Sequence, residues 1–407
     1  MHLPAASAAP SRLLFLDWLR IGAFALLVLY HVGMYYVSWG WHVKSPDAGP
    51  ALEPWMRLSS PWRLSLLFLI SGAATSFMLQ RDGAAGSLLA SRSRRLLWPL
   101  LFGMAVIVPP QSYFEVVQLH GYAGSFLGFM RLYASGYGGF CKSDGHCLIL
   151  PTWNHLWFVA YLFVYTVVLW LLLRAWPRLL DRVAAASTHL LRGGALLWLP
   201  IAVLAALRVA LIDRHPPTHA LLGDWYLHAT YLAMFLLGAA WARDATAWQR
   251  CADLRWPALV LALAAWGAML ALSAWVFDTS TQARWLWPGR TAFAAMQWSA
   301  TVAAVGFAKV HLNRDHRWRA TLAESVFPVY IVHQTLIIGF AMALAPRHWT
   351  PALEGPLLVA LTFGASLAIY FAVRRASWLR PWFGLTAAAA PPAAAPAALQ
   401  LADRSAR

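Results

Sequence analysis

The chain has 407 residues, of which 60% are hydrophobic and only 12% are charged, and its mean hydropathy is +0.55. Soluble globular proteins carry roughly a quarter charged residues, so this composition argues against a soluble enzyme, a coiled coil and a disordered protein. The 24 tryptophans are typical of a membrane protein, because Trp is enriched at both membrane–water interfaces. The net charge of +16 would indicate a nucleic-acid partner only if the basic residues formed one cluster.

A membrane-spanning helix needs about 20 mostly apolar residues, and ten stretches of the sequence approach this length. Most are bounded by Arg, Pro or Asp, which are unfavourable in lipid or end helices. We therefore predict an all-α, polytopic integral membrane protein with about ten transmembrane helices. The predicted spans are 14–37, 62–80, 96–113, 156–173, 194–212, 226–242, 257–276, 291–310, 324–345 and 356–373.

The basic residues orient these spans. If both termini are cytoplasmic, 21 of the 32 Lys and Arg fall in cytoplasmic segments and nine fall in the opposite loops. Cytoplasmic loops of membrane proteins carry the excess of Lys and Arg, so both termini are predicted to be cytoplasmic. The positive charge is then a signal of topology, and no nucleic-acid partner is expected.

Three segments follow from this division of the chain. Residues 1–13 are predicted to be a cytoplasmic N-terminal segment and residues 14–375 the transmembrane domain, with a long periplasmic loop at 114–155. Residues 376–407 are expected to be a disordered cytoplasmic tail, because the Ala/Pro-rich sequence buries little apolar surface.

The long loop contains Cys141 and Cys147, on the side of the membrane where oxidation favours disulfides. The alternative is a metal site formed by Cys141, Asp144, His146 and Cys147. Four ligands so close in sequence rarely reach a tetrahedral arrangement. We predict a Cys141–Cys147 disulfide and no metal site.

The first span carries two ionisable residues, Arg20 and His31, eleven positions apart. This spacing is close to three whole helical turns, so both side chains share one face, about 16 Å apart along the axis. Asp17 lies one turn before Arg20 and can pair with it. Arg20 alone suits a snorkelling anchor and His31 alone suits helix packing. The pair on one face favours function, and we expect an uninterrupted polar path joining the cytoplasmic arginines to His31.

Arg92 and Arg95 precede the third span at i, i+3 spacing, which places them on one side of a helix. Ser91 suits the N-cap of that helix. A helix N-terminus with two guanidinium groups is a favourable phosphate site. The alternative is ordinary positive charge on the cytoplasmic side.

Two predicted outer segments combine aromatic and histidine side chains. Trp41 and His42 follow the first span, and His155 and Trp157 open the fourth. Each pair suits either an interfacial aromatic belt or a carbohydrate site.

The ninth span carries Tyr330 and His333, so a second deep histidine indicates a polar interior. The sequence does not decide whether His333 joins His31. Three further ionisable residues lie nearer span ends and are interpreted as anchors or caps: Glu115, Arg208 and Glu324.

Five segments of the chain resemble, in order, motifs of the bacterial acyltransferase 3 family of integral-membrane O-acyltransferases. Ten spans with cytoplasmic termini also match that family's arrangement, and the resemblance covers about residues 14–375. The five are the first-helix Arg20 and His31, the second-helix ending Phe68–Gly72, the paired Arg92 and Arg95, the His-Leu-Trp-Phe segment His155–Phe158, and the late segment Ser325–His333.

The resemblance implies an acyltransferase for groups other than aminoacyl groups, in the bacterial cytoplasmic (inner) membrane. The donor substrate would be cytoplasmic acyl-CoA, either acetyl-CoA or succinyl-CoA, with no permanently bound cofactor. The acceptor would be a carbohydrate hydroxyl, of a glucan or surface polysaccharide, on the outer side. Trp41–Ser45 resembles the branch that attaches succinyl groups to periplasmic glucans.

The resemblance also implies roles for individual residues. His31 would be the general base, since histidine titrates near neutral pH, and Arg20 would orient the donor or stabilise developing negative charge. Arg92, Arg95 and Ser71 would bind acyl-CoA. The residues expected to face the acceptor are Trp41, His42, His155, Trp157, Tyr330 and His333.

Two other classes of protein compete with the enzyme. A multi-span transporter or flippase of a sugar or lipid-linked substrate also needs many spans and buried ionisable groups. Transporters commonly show inverted repeats, and the sequence shows no paired halves. A non-catalytic assembly subunit has no need of costly buried His and Arg. We therefore favour the enzyme.

Overall fold

A computed structural model of the protein describes residues 13–82, 85–142, 145, 147–275 and 282–386. Within these residues the chain is helical, and an isolated bridge between Cys141 and Cys147 is the only β-type pairing. The prediction of an all-α polytopic membrane protein is confirmed. Residues 1–12 and 387–407, which hold most of the two predicted terminal segments, lie outside the described residues.

Fifteen α-helices lie within the described residues. The first eight are α1 (Leu14–Tyr36), α2 (Glu53–Ser59), α3 (Arg63–Asp82), α4 (Ala85–Phe102), α5 (Pro109–His120), α6 (Phe126–Ser135), α7 (Trp157–Ala175) and α8 (Leu179–Leu190). The remaining seven are α9 (Ala195–Leu211), α10 (Trp225–Trp241), α11 (Ala245–Asp253), α12 (Arg255–Trp275), α13 (Gln282–His311), α14 (Arg319–Leu344) and α15 (Pro351–Arg375).

Seven helical stretches among the described residues are long and apolar enough to cross a membrane, or eight if the bent pair α8 and α9 counts as one span. All ten predicted spans fall on helices, but α10 and α13 do not meet this criterion. Helix α10 has only 17 residues, and α13 carries the buried polar residues Gln297, Ser299 and Thr301 at its centre. The count of ten and the cytoplasmic placement of both termini stay predictions.

The third predicted span is one continuous but irregular run of helix. A five-residue π-helical turn, Gly103–Ile107, joins α4 to α5. Pro109 follows this turn, and because proline has no N–H and crowds the preceding carbonyls, regular α-helical hydrogen bonding is interrupted there. Beyond the turn, α5 packs against α14, where Gln111 hydrogen-bonds Gln334 and Thr335.

The long loop and the start of the tail are folded. Val116, Phe129 and Tyr133 form a small apolar core of α5 and α6. Residues Arg380–Phe383 form a 3₁₀ helix, and the Phe383 ring lies 5.4 Å from Phe102 of α4. The segment expected to be disordered from residue 376 is therefore ordered to residue 386, because its aromatic residues pack against α4.

Helices α3 and α10 pack backbone against backbone. A Cβ atom added at Gly72 would lie well within 3 Å of the Phe235 carbonyl, and one added at Gly238 would clash with the Leu69 carbonyl. Small residues permit such close approach of helices in membranes. The glycine of the Phe68–Gly72 segment is therefore required by packing.

Gly72→Ala should destabilise the protein by about 1–3 kcal/mol or more, since the added methyl group meets rigid backbone. Thermal unfolding of the purified protein, followed by tryptophan fluorescence, measures the change. Gly22→Ala is the matched control, because a Cβ there has no neighbour within 4 Å. Equal melting temperatures for the two variants would contradict this account of the packing.

Candidate active site

One cavity of about 920 Å³ gathers most of the residues predicted to carry chemistry at the outer side. We call it the histidine cavity. Its lining includes His31, Trp41, His42, His155, Trp157 and Tyr330. Side chains from α1, α7 and α14, which are distant in sequence, therefore share one space. His333 is fully buried behind this surface.

The two deep histidines are joined directly. His31 Nδ1 lies 2.8 Å from His333 Nε2, and the two rings are parallel to within 3°. His333 Nδ1 lies 2.6 Å from the Tyr330 carbonyl oxygen. A carbonyl only accepts, so His333 carries its proton on Nδ1 and Nε2 accepts. His31 then donates from Nδ1, and its Nε2 keeps a lone pair. The half-buried His31 lines the cavity, so the arrangement provides a basic nitrogen there.

His155 is fixed by the same segment of α14. Its Nε2 donates to the Ile331 carbonyl over 3.0 Å, and the Tyr330 hydroxyl donates to the His155 carbonyl over 2.5 Å. Gln111 Nε2 lies 3.4 Å from His155 Nδ1, and Gln111 Oε1 accepts from Asn154 Nδ2 at 3.1 Å. Because both ring nitrogens of His155 are engaged, this histidine is part of the cavity wall that holds α7 against α14.

The segment after α1 is held over the cavity by Lys44. Its ammonium donates to the carbonyls of Met34 and Val37, each over 2.6 Å, and so caps the C-terminal end of α1. His42 Nδ1 lies 2.5 Å from Glu115 Oε2 of α5. Glu115, interpreted from sequence as an anchor, instead positions His42 at the cavity.

The two tryptophans of the cavity differ in exposure. Trp157 is only 8% exposed, and its ring stacks on His219 at a centroid distance of 4.3 Å. Trp41 is half-buried and lines the same space. The face that Trp157 turns to His219 is occupied, so Trp41 is the more accessible aromatic surface for a ligand.

A second cavity, of about 600 Å³, gathers the residues predicted to bind the donor. Arg20, Ser71, Arg92 and Arg95 all line it, together with apolar side chains. We call it the arginine cavity. Arg94 lies between two of these arginines in sequence but outside the lining, as the i, i+3 spacing predicts.

The arginines of this cavity are incompletely hydrogen-bonded. Arg92 Nη2 donates to the Thr75 hydroxyl, and Arg20 Nη2 donates to the Ala323 carbonyl over 2.5 Å. The Nε atoms of Arg20 and Arg92 have no partner among the described residues. Asp17 forms an ion pair with Arg319, so α1 is tied to α14 here. Unused guanidinium donors make the cavity suited to an anion.

Aromatic rings stand between the two cavities. Phe24 and Phe158 line both, and their ring centroids lie 6.4 Å apart. Tyr330 packs against both rings, at 5.4 Å from Phe24 and 6.1 Å from Phe158. The uninterrupted polar path expected from sequence is therefore replaced by two cavities and an aromatic partition. Phe24 follows Arg20 by four residues, so it occupies the same face of α1.

Cys141 and Cys147 are joined by a disulfide in the long loop. Asp144 and His146, the other residues of the alternative metal site, lie outside the described residues. The described part of the chain contains no group of three or more His, Cys, Asp or Glu able to hold a metal ion.

Several polar residues of the site were missed by sequence reasoning. Arg63 lines the histidine cavity and Gln111 supports it, and neither was predicted, whereas Arg208, interpreted from the sequence as an anchor or cap, also lines the cavity. An arginine inside an apolar span, as Arg208 is, was the available signal. The sequence gave no signal for Gln111, because its hydrogen-bond partners come from distant segments of the chain.

The protein is thus a helical multi-pass membrane protein with a buried histidine pair facing one cavity and a cluster of arginines facing another. A family model described as an acyltransferase domain matches residues 13–371, and the chain belongs to this family, acyltransferase 3. The protein is a membrane acyltransferase. No curated protein and no solved structure matches the chain.

Proposed function

We propose that the protein moves an acyl group from cytoplasmic acyl-CoA, bound in the arginine cavity, to a carbohydrate hydroxyl bound in the histidine cavity. The observation that carries this proposal is that the predicted donor residues line one cavity, and that the predicted acceptor residues other than the buried His333 line the other. The two cavities meet at Phe24 and Phe158, so the donor has a short route to His31.

Coenzyme A is polyanionic at one end and carries its thioester at the end of a long thin arm. Arg92 and Arg95 bind the phosphates, since guanidinium groups present planar donor pairs to phosphate oxygens. The arm lies along the apolar lining, beside Ala74 and Leu96. Arg20 lies about 16 Å along α1 from His31, too far to reach the thioester, so it orients the arm.

The chemistry is general base catalysis by His31. Nε2 of His31 takes the proton of the acceptor hydroxyl as its oxygen attacks the thioester carbonyl carbon. The tetrahedral intermediate collapses with cleavage of the C–S bond, and the thiolate takes the proton back from Nε2, which yields free CoA and an ester. His333 is a positioning residue, because it fixes the tautomer that leaves Nε2 free.

The aromatic partition separates the water of the arginine cavity from the water of the histidine cavity. The acyl end of the donor reaches His31 by passing Phe24 and Phe158, which are both largely buried. When the arm is absent, these rings close the route, so water and ions do not pass between the two cavities. The acceptor is a glucan or surface polysaccharide on the outer side of the bacterial inner membrane, and acetyl and succinyl are the candidate acyl groups.

His31→Ala should lower acyl transfer about 10²–10⁴-fold, the usual contribution of a positioned base. The assay supplies radiolabelled acyl-CoA to inside-out membrane vesicles and measures label on carbohydrate. Membrane abundance of the variant should equal that of the wild type. Near-wild-type transfer by His31→Ala would exclude this base, and label that never appears on carbohydrate in the wild type would favour transport instead.

His333→Leu should lower kcat with little change in KM, because His31 then loses the acceptor that fixes its tautomer. His333→Asn should recover part of the activity, since the amide oxygen can accept from His31 Nδ1. The pH profile of kcat should shift in His333→Leu. If Leu and Asn variants have the same kcat and pH profile, His333 has only a packing role.

Arg92→Ala combined with Arg95→Ala should raise the apparent KM for acyl-CoA, about 10-fold or more, because charge-assisted hydrogen bonds to phosphate are lost. The control is Arg94→Ala, which removes one positive charge from the same helix at a position outside the cavity lining. A KM that changes equally in both cases would show that these arginines serve topology alone.

A further inference from the structure

The histidine cavity contains a buried cation that the transfer reaction does not use. Arg63, the first residue of α3, is 5% exposed and lines this cavity. Its guanidinium carbon lies 3.3 Å from the centre of the Tyr30 ring. The Nε and Nη1 atoms have no hydrogen-bond partner among the described residues. These two buried donors are therefore unsatisfied.

A second arginine lies at the same cavity. Arg208 of α9 donates from Nη1 to the Tyr226 hydroxyl over 2.7 Å, and its guanidinium carbon lies 3.6 Å from the centre of the Phe293 ring. Its Nε has no partner among the described residues. Both arginines are thus held by aromatic rings, which fix a guanidinium in place while leaving N–H donors unused.

The two arginines and His31 line the same cavity. Tyr231 of α10 also belongs to this lining. Tyr30, which carries Arg63 on its face, is the chain neighbour of His31, and their ring centroids lie 6.2 Å apart. An anion held here would lie beside the reacting centre.

The cavity itself does not neutralise these charges. Among the described residues that line it, Glu115 is the one carboxylate, and His42 holds it at 2.5 Å. A buried charge without a counter-ion is unfavourable, above all inside a membrane, and such residues usually bind a charged ligand.

We propose that Arg63 and Arg208 form an anion subsite in the histidine cavity, and that one of the reacting molecules carries a carboxylate or phosphate group bound there. This inference rests on the proposed function for the identity of the reacting molecules. The negative group belongs either to the acyl chain, as in a dicarboxylic acyl group such as succinyl, or to the acceptor saccharide. In both cases, the subsite selects an anionic substrate over a neutral one of the same size.

The test uses the full-length protein in nanodiscs and pairs of substrates that differ in charge. Succinyl-CoA and butyryl-CoA have acyl groups of equal length, and maltose 1-phosphate and maltose differ in one phosphate. Transfer is measured for each donor with each acceptor. Binding of each sugar, and of dethia analogues of both donors, in which CH₂ replaces the sulfur, is measured separately and needs no transfer.

The variants are Arg63→Gln and Arg208→Gln, with Arg63→Lys to keep the charge should Arg63→Gln fail to fold. The wild type should prefer the anionic member of one substrate pair over the neutral member. In each Gln variant this preference should fall by about 10- to 100-fold, the effect of one charged hydrogen bond. Arg131→Gln is the control, because it removes an exposed positive charge outside the cavity lining.

The pair that loses its preference identifies the source of the negative group. Loss within the donor pair assigns it to the acyl chain, and loss within the sugar pair assigns it to the acceptor. If an anionic substrate binds in a way that depends on Arg63 but no acyl transfer is observed, the subsite is supported and the proposed function is contradicted. If Arg63→Gln and Arg208→Gln show the same preference for the anionic substrates as the control Arg131→Gln, the subsite does not exist.

Discussion

The hydrogen bond between His31 and His333 is the interaction on which the site depends. A neutral imidazole has two tautomers, and an isolated histidine on α1 would present either nitrogen to the cavity. The Tyr330 carbonyl fixes the proton of His333 on Nδ1, and His333 in turn fixes the proton of His31 on Nδ1. The free lone pair of His31 therefore faces the acceptor side. Because the bond joins α1 to α14, the packing of the bundle sets the chemistry of the base.

The second constraint is the separation of the two cavities by aromatic rings. An enzyme that joins a donor from one side of a membrane to an acceptor on the other must let the acyl group through without opening a water channel. Phe24, Phe158 and Tyr330 fill the position between Arg20 and His31. The closed rings exclude free ions and water, whereas a donor held by its phosphates can insert its thin arm between them, so the partition permits transfer while keeping the membrane closed.

Composition and hydropathy were sufficient to predict an all-α membrane fold, because a chain with few charges and many long apolar stretches does not have the composition of a soluble protein. Helical spacing also predicted that Arg92 and Arg95 share one face, and both line one cavity while Arg94 does not. The histidine pair was not predictable, because His31 and His333 are 302 positions apart and only tertiary packing brings them together. The aromatic partition was predictable in part, because helical spacing places Phe24 on the same face of α1 as Arg20 and His31.

A structure determined by cryo-electron microscopy, with a dethia acyl-CoA analogue and a bound oligosaccharide, tests the central claim most directly. The account predicts phosphates at Arg92 and Arg95, an arm that passes Phe24, and an acceptor hydroxyl within about 3.5 Å of both Nε2 of His31 and the carbonyl carbon. An acyl group that ends on the arginine side of Phe24, or an Nε2 of His31 that contacts lipid or protein alone, would contradict it.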